Sequence, residues 1–254
     1  MCLIFIGLKN HPRYKLIVAA NRDEFYDRPT ASASFWEDHP EILAGRDLEA
    51  KGTWLGVTKG GRICMVTNFR DPKNIHARAP SRGKLVTDFL LDDTTGEKYL
   101  EKLAPHAKKY NGFSLIAGTM DSLYYFSNYK DGIILLNSGL FGLSNHLLET
   151  PWPKVETGKS RIQELLKSPV IRVEDLYNVL SDESISQDEQ LPDTGVGLER
   201  ERALSAAFIR SPGYGTRSST VIMVDYNNQV SFNERVFNPQ DSGFSYQNFQ
   251  YSIG

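Results

Sequence analysis

The chain opens on an apolar run over residues 3–7, and a second follows over residues 15–20. Asn10, His11 and Pro12 lie between them, so the pattern predicts an antiparallel hairpin. Runs that are apolar at every position suit strands covered on both faces. Residues 21–29 then break the pattern, with Asn21, Arg22, Asp23, Glu24, Asp27 and Arg28 set at the exit of a buried strand. Further on, residues 54–58 and 63–69 flank Gly60-Gly61, a hairpin signal. Residues 82–91 carry helical spacing, with Leu85, Val86 and Phe89 on one face. Thr94-Thr95-Gly96-Glu97 reads as a capping box for a helix running to about Lys109. Strands are predicted over residues 113–118, 123–127 and 133–137, with Asp131-Gly132 as the turn between the last two. Residues 159–166 and 173–180 read as helices, and the acidic stretch 181–197 as a surface loop. A final hairpin is predicted over residues 219–225 and 230–236 around Asn227-Asn228, with a polar, peripheral tail from Pro239.

Strands, helices, strands, helices and strands thus follow one another, with paired helices between antiparallel hairpins. That order predicts an α+β layered fold, two sheets face to face with helices outside, rather than a doubly wound parallel sheet. No repeat, low-complexity tract or linker divides the 254 residues, so one domain over residues 1–254 is expected.

Composition narrows the function. Apolar residues make up 40% and charged residues 24%, as in a globular protein in water. A net charge of −2 gives no basic face to displace counterions, which argues against a nucleic-acid partner. No apolar run is long enough for a membrane-spanning helix. The apolar start has no basic segment before it and no small-residue cleavage site after it, so the expected compartment is the cytoplasm. The oligomeric state is not legible.

Candidate chemistry begins at Cys2. Met1 precedes a small residue and is expected to be removed, leaving a free α-amine and a thiol on one residue. Their reference pKa values, about 8 and about 8.5, are matched, so the amine can act as base for its own side chain. The predicted hairpin brings residues 20–23 back to the level of Cys2. There Asp23 is placed to hold the α-ammonium, and Arg22 to stabilise a thiolate or bind an acidic group. A loop salt bridge with Asp27 or Arg28 is the alternative. Asn68 and Asn145 are candidate oxyanion donors, and Arg217 precedes a late strand. Asn21, Glu24, Trp54, Phe69, Arg70 and Arg82 are assigned to substrate binding, Trp54 and Phe69 as apolar walls and the arginines as holders of an acidic group. The five histidines are scattered, so neither a metal site nor a Ser–His–Asp set emerges. The two cysteines, Cys2 and Cys64, make no zinc framework, and no disulfide is expected. No cofactor is called for.

Several segments together carry a resemblance. Met-Cys-Leu-Ile at the start, Ala20-Asn21-Arg22-Asp23-Glu24 with Arg28-Pro29, Gly52-Thr53-Trp54-Leu55-Gly56, Thr67-Asn68-Phe69-Arg70, Ser81-Arg82-Gly83 and Gly142-Leu143-Ser144-Asn145 resemble the NRDE, or transport and Golgi organisation protein 2, family. That family is similar to cysteine N-terminal-nucleophile hydrolases. The resemblance implies a four-layer αββα sandwich with Cys2 as nucleophile and Asp23 on its amine. It also implies Asn68 and Asn145 at the oxyanion and Arg217 as a late active-site arginine. Those hydrolases carry an arginine three residues before the aspartate, where this chain has Ala20. Arg22 stands beside Asp23 instead, and its side chain is expected to leave the strand in a different direction.

Two partner classes follow. The first is a small-molecule substrate cleaved at an amide or thioester. The second is a haem-like or acyl-lipid ligand, bound without catalysis, with Cys2 or His146 as a possible axial ligand to haem. A purely structural role leaves the charges after the first hairpin without a purpose.

Overall fold

The computed structural model describes residues 2–238 and 243–254. Among these residues, fourteen strands form two antiparallel sheets. In chain order they are β1 (Cys2–Leu8), β2 (Tyr14–Phe25), β3 (Thr30–Phe35), β4 (Ile42–Asp47), β5 (Leu55–Thr58), β6 (Arg62–Asn68) and β7 (Phe113–Thr119). There follow β8 (Ser122–Ser127), β9 (Lys130–Leu136), β10 (Gly139–Ser144), β11 (Arg210–Ser211), β12 (Tyr214–Asp225), β13 (Gln229–Phe237) and β14 (Phe244–Ser252). The first sheet runs β10-β1-β2-β12-β13-β14, with β11 beside β12, and the second is the meander β3 to β9. Among the described residues, four α-helices cover the outer faces, α1 (Gly83–Leu91), α2 (Gly96–Leu103), α3 (Pro153–Leu165) and α4 (Val173–Leu180), and a fifth, α5 (Leu198–Ser205), precedes β11.

The all-apolar strands are explained by this layering. Alternate residues of β1 and β2 (Ile4, Ile6, Leu16, Val18) pack between the sheets on Leu43, Val57, Met65 and Ile116. The residues between them, Leu3, Phe5, Ile17 and Ala19, face the other way onto Ile162, Leu176 and Leu180 of α3 and α4. Ile42, Cys64 and Leu115 of the second sheet pack outward on Leu85, Phe89 and Leu100 of α1 and α2. Each fully buried side chain of this size contributes about 1.5–3 kcal/mol. Gly158 lets α3 sit directly on β1: a Cβ there would lie 2.1 Å from the Phe5 ring. The result is the expected four-layer αββα sandwich.

Several local expectations are corrected. β2 does not end at Ala20 but runs to Phe25, because Thr216, Ser218 and Ser219 of β12 pair with its polar half. The second-helix cap is Thr95, whose hydroxyl accepts from the Lys98 N–H. Glu97 therefore does not close the box predicted from Thr94, and Pro105 turns the chain after Leu103 into a 3-10 helix. The turn before β9 lies at Asn128-Tyr129, so Asp131 and Gly132 belong to the strand. The third helix starts at Pro153, six residues earlier than its apolar spacing suggests. Pro239 lies outside the described residues, but beyond it the supposed tail forms β14. Phe249 and Tyr251 of that strand pack against the inter-sheet core.

Candidate active site

The site is built where β1 begins. Cys2 pairs with Arg22, so the hairpin returns to the level of the thiol as its spacing predicts. Both side chains share the face of Ile4 and Ala20, which looks into the gap between the sheets. The Asp23 backbone N–H acts on the Cys2 thiol in the direction that favours its charged form. Burial pushes its pKa up and the Asp23 charge adds to that, while Arg22 opposes it. Neither Cys2 nor Cys64 is in a disulfide.

Arg22 leaves β2 on the same face as Ala20, two positions earlier, because strand side chains alternate with period two. The expectation of a different direction is thus overturned. The guanidinium lies 4.2 Å from the Trp54 ring centroid, within cation–π range. Its nearest carboxylates, Glu24 at 3.9 Å and Asp47 at 4.0 Å, are loose ion pairs. Nη1 is buried without a hydrogen-bond partner among the described residues.

Asp23 takes a 2.7 Å hydrogen bond from the Thr216 hydroxyl. Burial raises its pKa, and the Lys154 ammonium is the charge that opposes this most. Next to it, β12 bulges between Thr216 and Ser218, leaving Arg217 as the extra residue. Arg217 turns away and donates to the carbonyls of Phe25 (2.8 Å) and Arg28 (3.1 Å), tying down the turn after β2.

A cavity of about 530 Å³ opens beside the thiol, lined among others by Cys2, Arg22, Asp23, Glu24, Trp54 and Asn68. Arg82 and Gly83, at the start of α1, form part of the wall. They come this close because Gly52 meets Gly83 backbone to backbone: a Cβ on Gly52 would lie 2.6 Å from the Gly83 carbonyl carbon. Arg28 and Asp47, paired at 2.7 Å, close another side. A second pocket of about 400 Å³ holds Phe69, Arg70, Ile75, Leu204 and Tyr214. Glu24, Phe25, Asn68, Arg82 and Asn111 line both spaces, so the two adjoin. Volumes of this size suit a small molecule.

Of the residues singled out from the sequence, Cys2, Arg22, Asp23, Glu24, Trp54, Asn68 and Arg82 meet at the first cavity. Phe69 and Arg70 line the second pocket, where Phe69 stacks on Tyr129 and Arg70 is paired at 2.5 Å with buried Glu201. Asn21, Asn145 and Arg217 are not on the cavity wall. Asn21 points into the helix layer and donates to the carbonyls of Leu180 and Ala207, both at 2.8 Å. Its oxygen accepts from the Ser219 hydroxyl at 2.6 Å. Asn145 is fully buried, adopts a φ of +48°, and donates to the Asn68 carbonyl at 3.2 Å. Its link to the cavity wall is this bond to Asn68. His146 packs on Phe69 and Trp152 and bonds Thr150, lining neither space.

Sequence reasoning missed Thr216, Lys154, Asp47 and Tyr214. The polar run Thr216-Arg217-Ser218-Ser219 at the start of a late strand was a usable signal for the first. Lys154, in Trp152-Pro153-Lys154, carried none. Among the described residues, no group of three His, Cys, Asp or Glu side chains is set to hold a metal ion, and no helix is long and apolar enough to cross a membrane.

Two facing antiparallel sheets with outer helix layers define a four-layer αββα sandwich, the fold type of N-terminal-nucleophile hydrolases. A solved Caenorhabditis elegans N-acylethanolamine-hydrolyzing acid amidase ortholog has this fold. It superposes with a TM-score of 0.50 over 87% of this chain and 92% of its own, at 11% identity. The family described as Transport and Golgi organisation 2 matches residues 1–239, and this chain belongs to it. The human Transport and Golgi organization protein 2 homolog is 38% identical over 262 residues, covering 95% of each chain. The mouse homolog is also 38% identical, over 263 residues.

Proposed function

We propose that the protein is an N-terminal-cysteine hydrolase that cleaves an amide or thioester bond of a small acyl compound. The observation that carries this reading is the Cys2 thiol at the head of β1, facing a substrate-sized cavity with Arg22 and Asp23 beside it. Burial, with the Asp23 charge beside it, holds the thiol protonated, so the reaction needs a base within reach. Removal of Met1 supplies one, the α-amine of Cys2 itself, with Asp23 as its counter-charge.

In this scheme the amine takes the thiol proton and sulfur bonds to the substrate carbonyl carbon. The carbonyl oxygen gains the electron pair and is met by the Asn68 amide, whose position Asn145 fixes. The tetrahedral intermediate collapses, and the amine or thiol leaves with the proton from the α-ammonium. Water then attacks the thioester, giving the carboxylic acid and restoring Cys2. Arg22 flanks the thiol and favours its charged form. The polar first cavity takes the head that bears the scissile carbonyl, and the second pocket, with Phe69, Ile75 and Leu204, takes the apolar tail.

A non-catalytic acyl carrier on the same cleft is the second reading, favoured by the same burial that keeps the thiol protonated. Cys2→Ala separates the two. Screened against acyl amides and thioesters, the variant should retain the melting temperature and lose turnover. Turnover undiminished in Cys2→Ala sinks the hydrolase, and ligand binding without turnover in the wild type establishes the carrier.

A further inference from the structure

Residues 182–205, which include α5, leave the body of the fold and return to it at a narrow neck. There the Phe208 N–H donates to the Asp182 carbonyl at 2.8 Å, and the Ser186 N–H to the Ser205 hydroxyl at 3.0 Å. Inside the loop, Arg202 grips Asp188 through Nε and Nη2 at 2.7 and 2.5 Å. A loop whose ends meet and whose ties are internal can move as one piece.

The sequence gives this loop little to anchor it. Glu199-Arg200-Glu201-Arg202 fills the middle of α5, so the helix has no apolar stripe to bury. From residue 182 to residue 203, Glu201 is the one buried residue. Leu204, buried at the neck, belongs to none of the three core clusters. A glutamate is buried only where it is paired, and Glu201 is. Its Oε1 accepts from the Thr194 N–H and hydroxyl at 2.8 and 2.5 Å, both within the loop. Its Oε2 accepts from Arg70 Nη1 at 2.5 Å.

Arg70 belongs to the body. Its own N–H donates to the Asn145 carbonyl at 2.7 Å, and its guanidinium lies 4.7 Å from the Trp152 ring centroid. The other ion pairs from loop to body or neck, Asp182 with Arg161 and Glu183 with Arg210, are more exposed. A buried pair loses in desolvation much of what it gains in attraction, so it fixes a position more than it adds stability. Around this pair Val196, Arg200, Ala203 and Leu204 make one wall of the second pocket, with Pro72 and Ile75 on another. At its tip the loop comes against that second wall: a Cβ on Gly195 would lie 3.6 Å from Lys73 and 3.7 Å from Pro72.

We propose that residues 182–205 are a flap over the second pocket, latched by Glu201 on Arg70, whose opening admits the ligand. This rests on the second pocket as the seat of the ligand's apolar part, which the hydrolase and carrier readings share. It does not depend on the chemistry of Cys2.

Two measurements test it, neither of which needs a substrate. The first is hydrogen exchange of single amides in the wild type across a denaturant series. The Thr194 amide and those of residues 201–205 should exchange through one shared opening, separate from that of β12. Amides that fray independently, or that open only together with β12, overturn the proposal. The second uses phenylglyoxal, a small apolar arginine reagent, with each site read by peptide mass. In Glu201→Gln, Arg70 should react about tenfold faster than in the wild type, since its buried partner is lost. Arg62, whose Nε and Nη2 are held on the Phe89 carbonyl, should keep its rate. No acceleration at Arg70, or equal acceleration at Arg62, overturns the latch. The exchange measurement holds even where Glu201→Gln folds poorly. Turnover retained in Cys2→Ala would remove the nucleophile reading without altering either result.

Discussion

The two faces of β2 treat adjacent polar residues in opposite ways. Asn21 faces the helix layer and is saturated: both strong donor bonds go to backbone carbonyls at the end of α4 and after α5, and its oxygen takes a hydroxyl. Arg22, one residue on, faces the inter-sheet cavity with loose ion pairs and an unpartnered Nη1. Buried polar groups are normally satisfied, so the saturated face reads as construction and the unsatisfied one as a place prepared for something else. Asn21 holds the first sheet to its helices. Arg22 leaves hydrogen-bonding capacity beside a thiol.

Substitutions on each face can break this contrast. The largest effect is expected at Asn21→Ala, which orphans the Leu180 and Ala207 carbonyls and the Ser219 hydroxyl. The expected loss is about 4 kcal/mol, read as a fall in the denaturant midpoint, while Cys2 labelling in the folded fraction is unchanged. A loss confined to thiol reactivity would reverse the assignment of the two faces.

Next is Glu234, on β13 and facing the second sheet, where it accepts from the Ala33 N–H at 2.7 Å. Burial raises its pKa from 4.5 to about 7. A carboxyl whose folded pKa is raised lends stability that is complete below the unfolded pKa and is lost as pH climbs through the folded one. Between about pH 4.5 and 7 the wild type should therefore lose roughly 3 kcal/mol relative to Glu234→Gln. Melting temperatures of the two proteins at both ends of that window check this, and parallel curves would contradict it.

The smallest effect is expected at Arg22→Met, which keeps the packing on Trp54 and removes the charge. Cys2 alkylation near neutral pH should slow about tenfold, with little change in stability. A large stability loss without a change in labelling would make Arg22 another structural residue like Asn21.

The same contrast explains what the sequence made legible. The β1–β2 hairpin, and with it the meeting of Cys2 and Arg22, follows from two apolar runs and a short turn. The cavity-lining group was reachable because Asn21 to Glu24 stand out against an apolar strand. Sequence alone could not tell Asn21 from Arg22, since that depends on which partner lies over each face, and those partners come from residues 180 and 207 on one side and Trp54 on the other. Arg217 was misplaced for a similar reason, because a bulge turns it out of the alternation. β3 and β4 were missed because Thr30–Phe35 and Ile42–Asp47 are short and mixed in polarity. β14 was missed because its exposed polar residues outweigh Phe249 and Tyr251.

The most direct test of the central claim is the intact mass of the untagged protein before and after a thiol-reactive acyl probe at neutral pH. The account predicts a chain lighter by one methionine, carrying a single adduct that is lost in Cys2→Ala. A chain that retains Met1, or an adduct on Cys64 alone, would contradict it.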